Sequence, residues 1–451
     1  APCRNGLDSN WEVTNEAWRF VPNGASRLTG VEWYIGTNTS GAPDATTNTY
    51  TATTAGTYTA ISTYAKCDGS TVTLTDEVVI TGGSKTWNGS VDNNWYIPNN
   101  WTPTGVPNSS DCVVVPATAV SNGNAPIADI VNLIPLPPSP ALARNLTLLP
   151  NSYLEIGTDT NLIVQEWVTV QNTGILNLKS SSSLIQVDDA AINSGNIHMQ
   201  RSPNFDESAV LGTEYIYWSS PVANFQVTNI SPSSSQLFGW TPTVGGNGTG
   251  NHGEWFGASG AMTDGTGYIV RGLGGTPTKI PATTFAISNN TALFSGEPNN
   301  GIITKSIFHG GWNGGSYNGI GDTATNEDDN WNLIGNPYPS AISANAFTNL
   351  NTNINGTVYV WPHKSTYSAA TVDPFYEDYA YNYDGNDYIE HNNTGSNPPG
   401  TNDFFISSGQ AFFVMMNHSA TSGTSVTFNN SMRQAVSSYN NDTFFRTMDL
   451  E

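Results

Sequence analysis

Between residues 146 and 199, three short apolar runs return at an offset of about 22 residues. Leu146-Thr147-Leu148 recurs as Val168-Thr169-Val170. Leu154-Glu155-Ile156 recurs as Leu176-Asn177-Leu178, and again near Ile197-His198-Met199. Leu162-Ile163-Val164 recurs as Leu184-Ile185-Gln186. A unit this short cannot bury its own apolar side, so successive units must stack on one another. Three short strands per period, with Asn and Gly at the corners, describe the coil of a β-solenoid. Only two to three coils fit, so neighbouring parts of the chain must cap both ends. The solenoid segment is assigned to 84–203. It opens with Trp87, Trp95 and Trp101, and contains "IPLPPSP" (134–140), a stiff loop that no sheet interior accepts.

The flanks read as strands and turns. Residues 1–83 suit one sandwich, with an inward Trp33 in "VEWYIGTN" (31–38) and alternating strands across 49–80. Residues 204–451 suit a large antiparallel, jelly-roll-like β-sandwich with long loops. Its strands are "EYIYWSSPV" (214–222), "GTGYIVRG" (265–272), "GIITKSIF" (301–308), "NWNLIGNPY" (330–338), "GTVYVWP" (356–362), "FFISSGQAFFVMM" (404–416) and "SVTFNNSMR" (425–433). "PSAISANAF" (339–347) suits a short helix. The fold class is therefore all-β, in three units with boundaries near 83 and 203.

Within the last unit, "GNPYP" (335–339) demands a rigid corner. Pro337 and Pro339 lack backbone donors and push the residues before them away from the helical region. Gly335 offers backbone freedom. With no nucleophile or paired acid inside it, the corner is read as structural.

Net charge is −22, from 36 acidic and 14 basic side chains. Such a surface repels nucleic acid and anionic lipid, and no apolar run of about 18 residues is present to span a membrane. The chain starts at Ala1, as a mature protein does after signal-peptide removal. Of three cysteines, Cys3 and Cys67 lie near opposite ends of the first module and are expected to bridge. Cys112 is expected to stay free as a small buried side chain.

Several of these stretches together resemble a known group. "AGTYT" (55–59) after a Trp-Tyr strand resembles bacterial immunoglobulin-like or PKD-like modules. "YWSSPV" (217–222), "FSGEPNNG" (294–301), "WNLIGNPYPSAI" (331–342), "SSGQAFFV" (407–414) and "TFNNSMR" (427–433) occur in this order in large adhesin-like surface proteins of flavobacteria. The resemblance covers roughly 84–445. It implies a Bacteroidota protein exported through the type IX secretion translocon to the extracellular space or outer cell surface. It implies no reaction. Asp322-Thr323-Ala324 is similar to the tripeptide such bacteria O-glycosylate, which marks Thr323.

The residues also leave some chemistry open. Six histidines are scattered without ligand spacing, and no GxSxG elbow or phosphate loop is present. Glu254, Glu297 and Glu377 are candidates for a glycosidase pair. Two long loops, 246–257 and 373–393, carry aromatics that could stack on sugar rings: Trp255, Phe256, Tyr379, Tyr381 and Tyr383. Asp373, Glu377, Asp378, Asp384, Asn386 and Asp387, with Glu327, Asp328 and Asp329, gather hard oxygen ligands suited to calcium. The expected function is a non-enzymatic adhesion or scaffold module, possible calcium included. The alternative is a carbohydrate-binding or glycan-degrading secreted protein.

Overall fold

The repeat read from the sequence is the register of the fold. In the computed structural model, 146–148 pairs in parallel with 168–170, 154–156 with 176–178 and 162–164 with 184–186. Asn177-Leu178 then pairs with His198-Met199. The structure describes residues 25–50, 56–66, 70–80, 83–118, 123–129, 140–203, 215–231, 236–243, 253–271, 291–310, 317–318, 323–324, 329–361, 388–397 and 404–433.

One more coil precedes these. Cys112–Val115 lies in parallel on 145–148, Ile127–Ala128 on 155–156, and Ala141–Ala143 on 162–164. Its connections are of uneven length, which hides the period. Strands of two to five residues turn at corners where Asn151, Asp159, Asn172 and Ser181 adopt positive φ. Asn and Asp tolerate that region because their short polar side chains bond locally. Leu146, Leu148, Leu154, Ile156, Leu162, Val164, Val168, Leu176 and Leu178 all point inward and are fully buried.

On one face a polar ladder crosses the coils. Asn177 Nδ2 donates to Glu155 Oε2 at 3.0 Å, and Gln200 Nε2 donates to Asn177 Oδ1 at 3.0 Å. His198 stands in the same row, opposite Asn177. Burial holds its pKa below the usual 6.5, and its Nδ1 makes no hydrogen bond. As pH falls through the unfolded value, the unfolded chain takes up a proton that folded His198 refuses, so stability drops. His198→Gln should therefore flatten the loss of urea stability from about pH 7.5 to about pH 5.5. An unchanged slope would remove His198 as the cause.

Both solenoid ends are capped. At the start, Trp101 meets Trp87 and Trp95 edge-on, with centroids 5.0 and 4.6 Å apart. The Trp87 and Trp101 indoles donate to Asn124 O and Trp95 O. At the far end each of the three strand edges has its own cap. Ala292–Gly296 adds antiparallel to Ile197–Arg201. Asn193 Oδ1 accepts from Val168 N, while Ser194 exchanges backbone bonds with 168–170. Leu184 N donates to Pro339 O, and Leu184 O accepts from Arg433.

The sandwich stacks on this cap by strict alternation. In the sheet of Tyr215–Trp218, Tyr268–Arg271, Leu237–Thr241 and Glu254–Gly257, Ile216, Trp218, Leu237 and Val270 join the solenoid core. Tyr215, Tyr217, Phe238, Trp240 and Ile269 face the other way. There they meet Leu333, Tyr359 and Phe413 of the five-stranded sheet built on Trp331–Gly335 and Ala411–Met415, and Trp361 just past its strand Thr357–Val360. The far face of that sheet, with Ile334, Val358, Phe412 and Val414, packs on Phe347 of the helix Ala344–Leu350. The helix starts five residues later than expected because Ser343 caps it, accepting from Ala346 N.

Consequently, the core does not stop at residue 203: strand Ala292–Gly296 completes the solenoid sheet. The first module is different. Ala25–Ile35, Gly56–Lys66 and Thr71–Ile80 form one antiparallel meander with its own small core around Val31, Trp33, Ala60 and Tyr64. Trp33 is inward as expected, donating to Thr47 O. Cys112 is corrected: it is buried and disulfide-bonded, not free. Cys3 and Cys67, the expected pair, lie outside the described residues.

Candidate functional site

The alternation that builds the sandwich concentrates aromatics between its two sheets. Tyr217 is central, with the rings of Trp361, Phe413, Trp255 and Tyr388 at 5.0, 5.6, 6.1 and 6.5 Å. Its hydroxyl lies 2.7 Å from that of Tyr388. Trp240 meets Trp255 at 4.9 Å and donates from Nε1 to Trp331 O. Gly253, at φ +101°, lies so close beneath the Trp240 indole that a Cβ there would sit 2.0 Å from it. Trp361 and Tyr388 of the cluster bound residues 362–387, which lie outside the described residues.

Of the five residues of the expected sugar platform, Trp255 and Phe256 are described. Trp255 and Phe256 belong to strand Glu254–Gly257, not to a loop. Adjacent strand positions point to opposite faces. Trp255 enters the aromatic cluster, while Phe256 lies against Gly239 and is 48% exposed. Tyr379, Tyr381 and Tyr383 lie outside the described residues.

Of the nine calcium candidates, only Asp329 is described; Glu327, Asp328, Asp373, Glu377, Asp378, Asp384, Asn386 and Asp387 are not. The Asp329 carboxylate is fully buried, with Oδ1 3.1 Å from His418 Nε2. His418 in turn stacks on His309, 5.4 Å between centroids. Among the described residues, no three His, Cys, Asp or Glu side chains are placed to hold a metal ion. Glu254 and Glu297 are exposed on separate elements. Thr323 lies in a two-residue strand paired with Tyr317–Asn318.

The corner at 335–339 is a joint, and its chief residue is Asn336. The Nδ2 of this buried amide donates to Ser340 O, Ile406 O and Ser407 O, while its Oδ1 accepts from Tyr338 N. The Tyr338 hydroxyl donates to Gly301 O, and Pro337 O accepts from Asn299. Gly335 is required for close approach and not for backbone freedom: a Cβ would sit 2.3 Å from Ser219 Cβ. Arg433 packs over the Tyr338 ring at 4.8 Å and bonds Ser340 Oγ.

One constellation has no signature in the sequence. His391 is fully buried, with Nδ1 2.6 Å from Ser396 Oγ and Nε2 2.9 Å from Asn345 Oδ1. The three residues come from strand Ile389–Asn392, edge strand Gly395–Asn397 and the helix. Only cross-strand pairing of His391 with Ser396 brings the first two together.

No curated protein and no solved structure matches the chain. A family model described as "Domain of unknown function (DUF8693)" matches residues 86–451. That span takes in solenoid and sandwich together, in keeping with their shared core. The chain belongs to this DUF8693 family.

Proposed function

We propose that the chain is an adhesion or scaffold module of a surface protein exported through the type IX translocon. What supports this reading is mechanical. Two of the three strand edges at the far end of the solenoid are capped by the sandwich, one through strand Ala292–Gly296 and one through Pro339 and Arg433. A body welded this way transmits force and holds a ligand-bearing surface at a fixed distance. The acidic exterior resists association with other chains. Antibody labelling of intact cells, with and without protease shaving, tests the location. Labelling seen only after lysis would overturn it.

Calcium is part of the proposal, because carboxylates close together in sequence repel one another and a divalent cation offsets that repulsion. A cation at a hundredfold excess over Kd adds about 2.7 kcal/mol. Thermal melts in calcium should then run higher than in chelator, and coincident curves would discard it. The carbohydrate-binding alternative rests on the partly exposed Trp255 of the aromatic cluster. Retardation in glycan gels that Trp255→Ala leaves unchanged would exclude that residue.

A further inference from the structure

We propose that Ser396, His391 and Asn345 form an acyl-transfer site that takes carboxylic esters, with Ser396 Oγ as nucleophile. The Asn345 oxygen facing Nε2 can only accept, so Nε2 carries the imidazole proton. Nδ1 is then the acceptor, and the Ser396 hydroxyl, 2.6 Å away, donates to it. That is the order an activated serine needs: hydroxyl, base, and a third group holding the base in one tautomer. The ring cannot turn. It is fully buried and stacked on Phe404, 5.6 Å between centroids and 29° between planes. Ser396 is only half-buried and lies on the last strand of its sheet, where a substrate can approach. No other hydrogen bond engages its hydroxyl among the described residues.

In the reaction, Ser396 Oγ bonds to the ester carbonyl carbon as its proton passes to His391 Nδ1. The ester C–O bond breaks, and the proton goes to the departing alcohol. Water repeats the sequence on the acyl-serine, releasing the carboxylic acid and restoring the hydroxyl. Ser396 and His391 are catalytic residues, and Asn345 is a positioning residue. This activity is independent of the adhesive role and could stand without it.

A fluorophosphonate probe tests the proposal on the full chain. Oγ–P bond formation expels fluoride and transfers the same proton to His391. The expected result is a single adduct, mapped by mass spectrometry to Ser396 and lost in Ser396→Ala. A positioned base contributes roughly 100-fold or more. Asn345→Ala should therefore slow labelling at least about tenfold in protein that is still folded, while Asn345→Asp restores it. No adduct at Ser396 in the folded protein would overturn the proposal. So would an equal rate in Asn345→Ala, because a merely structural amide would leave the labelling rate alone.

Discussion

Arg433→Ala should destabilise the protein by about 3–5 kcal/mol. The side chain is 6% exposed, and burial lowers its pKa to about 10. Four hydrogen bonds hold it, all to neutral oxygens: Ser340 Oγ, Asn300 Oδ1, Asn430 Oδ1 and Leu184 O. Three of these partners belong to the sandwich, but Leu184 O is the open edge of the last solenoid coil. Truncation strands several buried acceptors at once, each costing about 1–3 kcal/mol. Arg433→Lys should recover only part of the loss, since an ammonium lacks the planar fork that reaches both sides of the joint. Urea unfolding followed by tryptophan fluorescence reads the effect, because Trp218 sits in the core shared by both parts. A loss below about 1 kcal/mol would mean that the solenoid edge is capped without it.

The sequence displayed what is periodic and hid what is singular. Leu146 predicts Val168, and Leu154 predicts Leu176, because in-register parallel stacking places identical environments one above another. Trp33 could be placed inward from two-residue alternation alone. Strands Leu237–Thr241, Glu254–Gly257 and Ala292–Gly296 were not legible: they are short, each carries a Gly, and tertiary pairing creates them. The same holds for Ser396 and His391, whose meeting depends on a hairpin register. At the corner, attention to Pro337 and Pro339 was sound but incomplete. Asn336 looks like any turn residue, and nothing local says that its amide will bond carbonyls 70 and 71 positions away.

Asn336→Leu should cost about 4 kcal/mol or more while nearly preserving side-chain volume. Leucine keeps water out of the site but offers nothing to Ser340 O, Ile406 O or Ser407 O, and it leaves Tyr338 N without its acceptor. Buried backbone groups without partners lose hydrogen bonds that the unfolded chain recovers from water. Because Asn336 holds Ser340 O and Arg433 holds Ser340 Oγ, the two residues act on one turn. Once either is removed, Ser340 is loosened and the other has less to lose. The double variant Asn336→Leu/Arg433→Ala should therefore fall short of the sum of the single losses by about 1 kcal/mol or more. Additive losses would show that the corner and the arginine cap fail separately. The expected shortfall would instead mark one cooperative joint, in which the chain's sharpest turn and the open edge of its solenoid are held by the same few side chains.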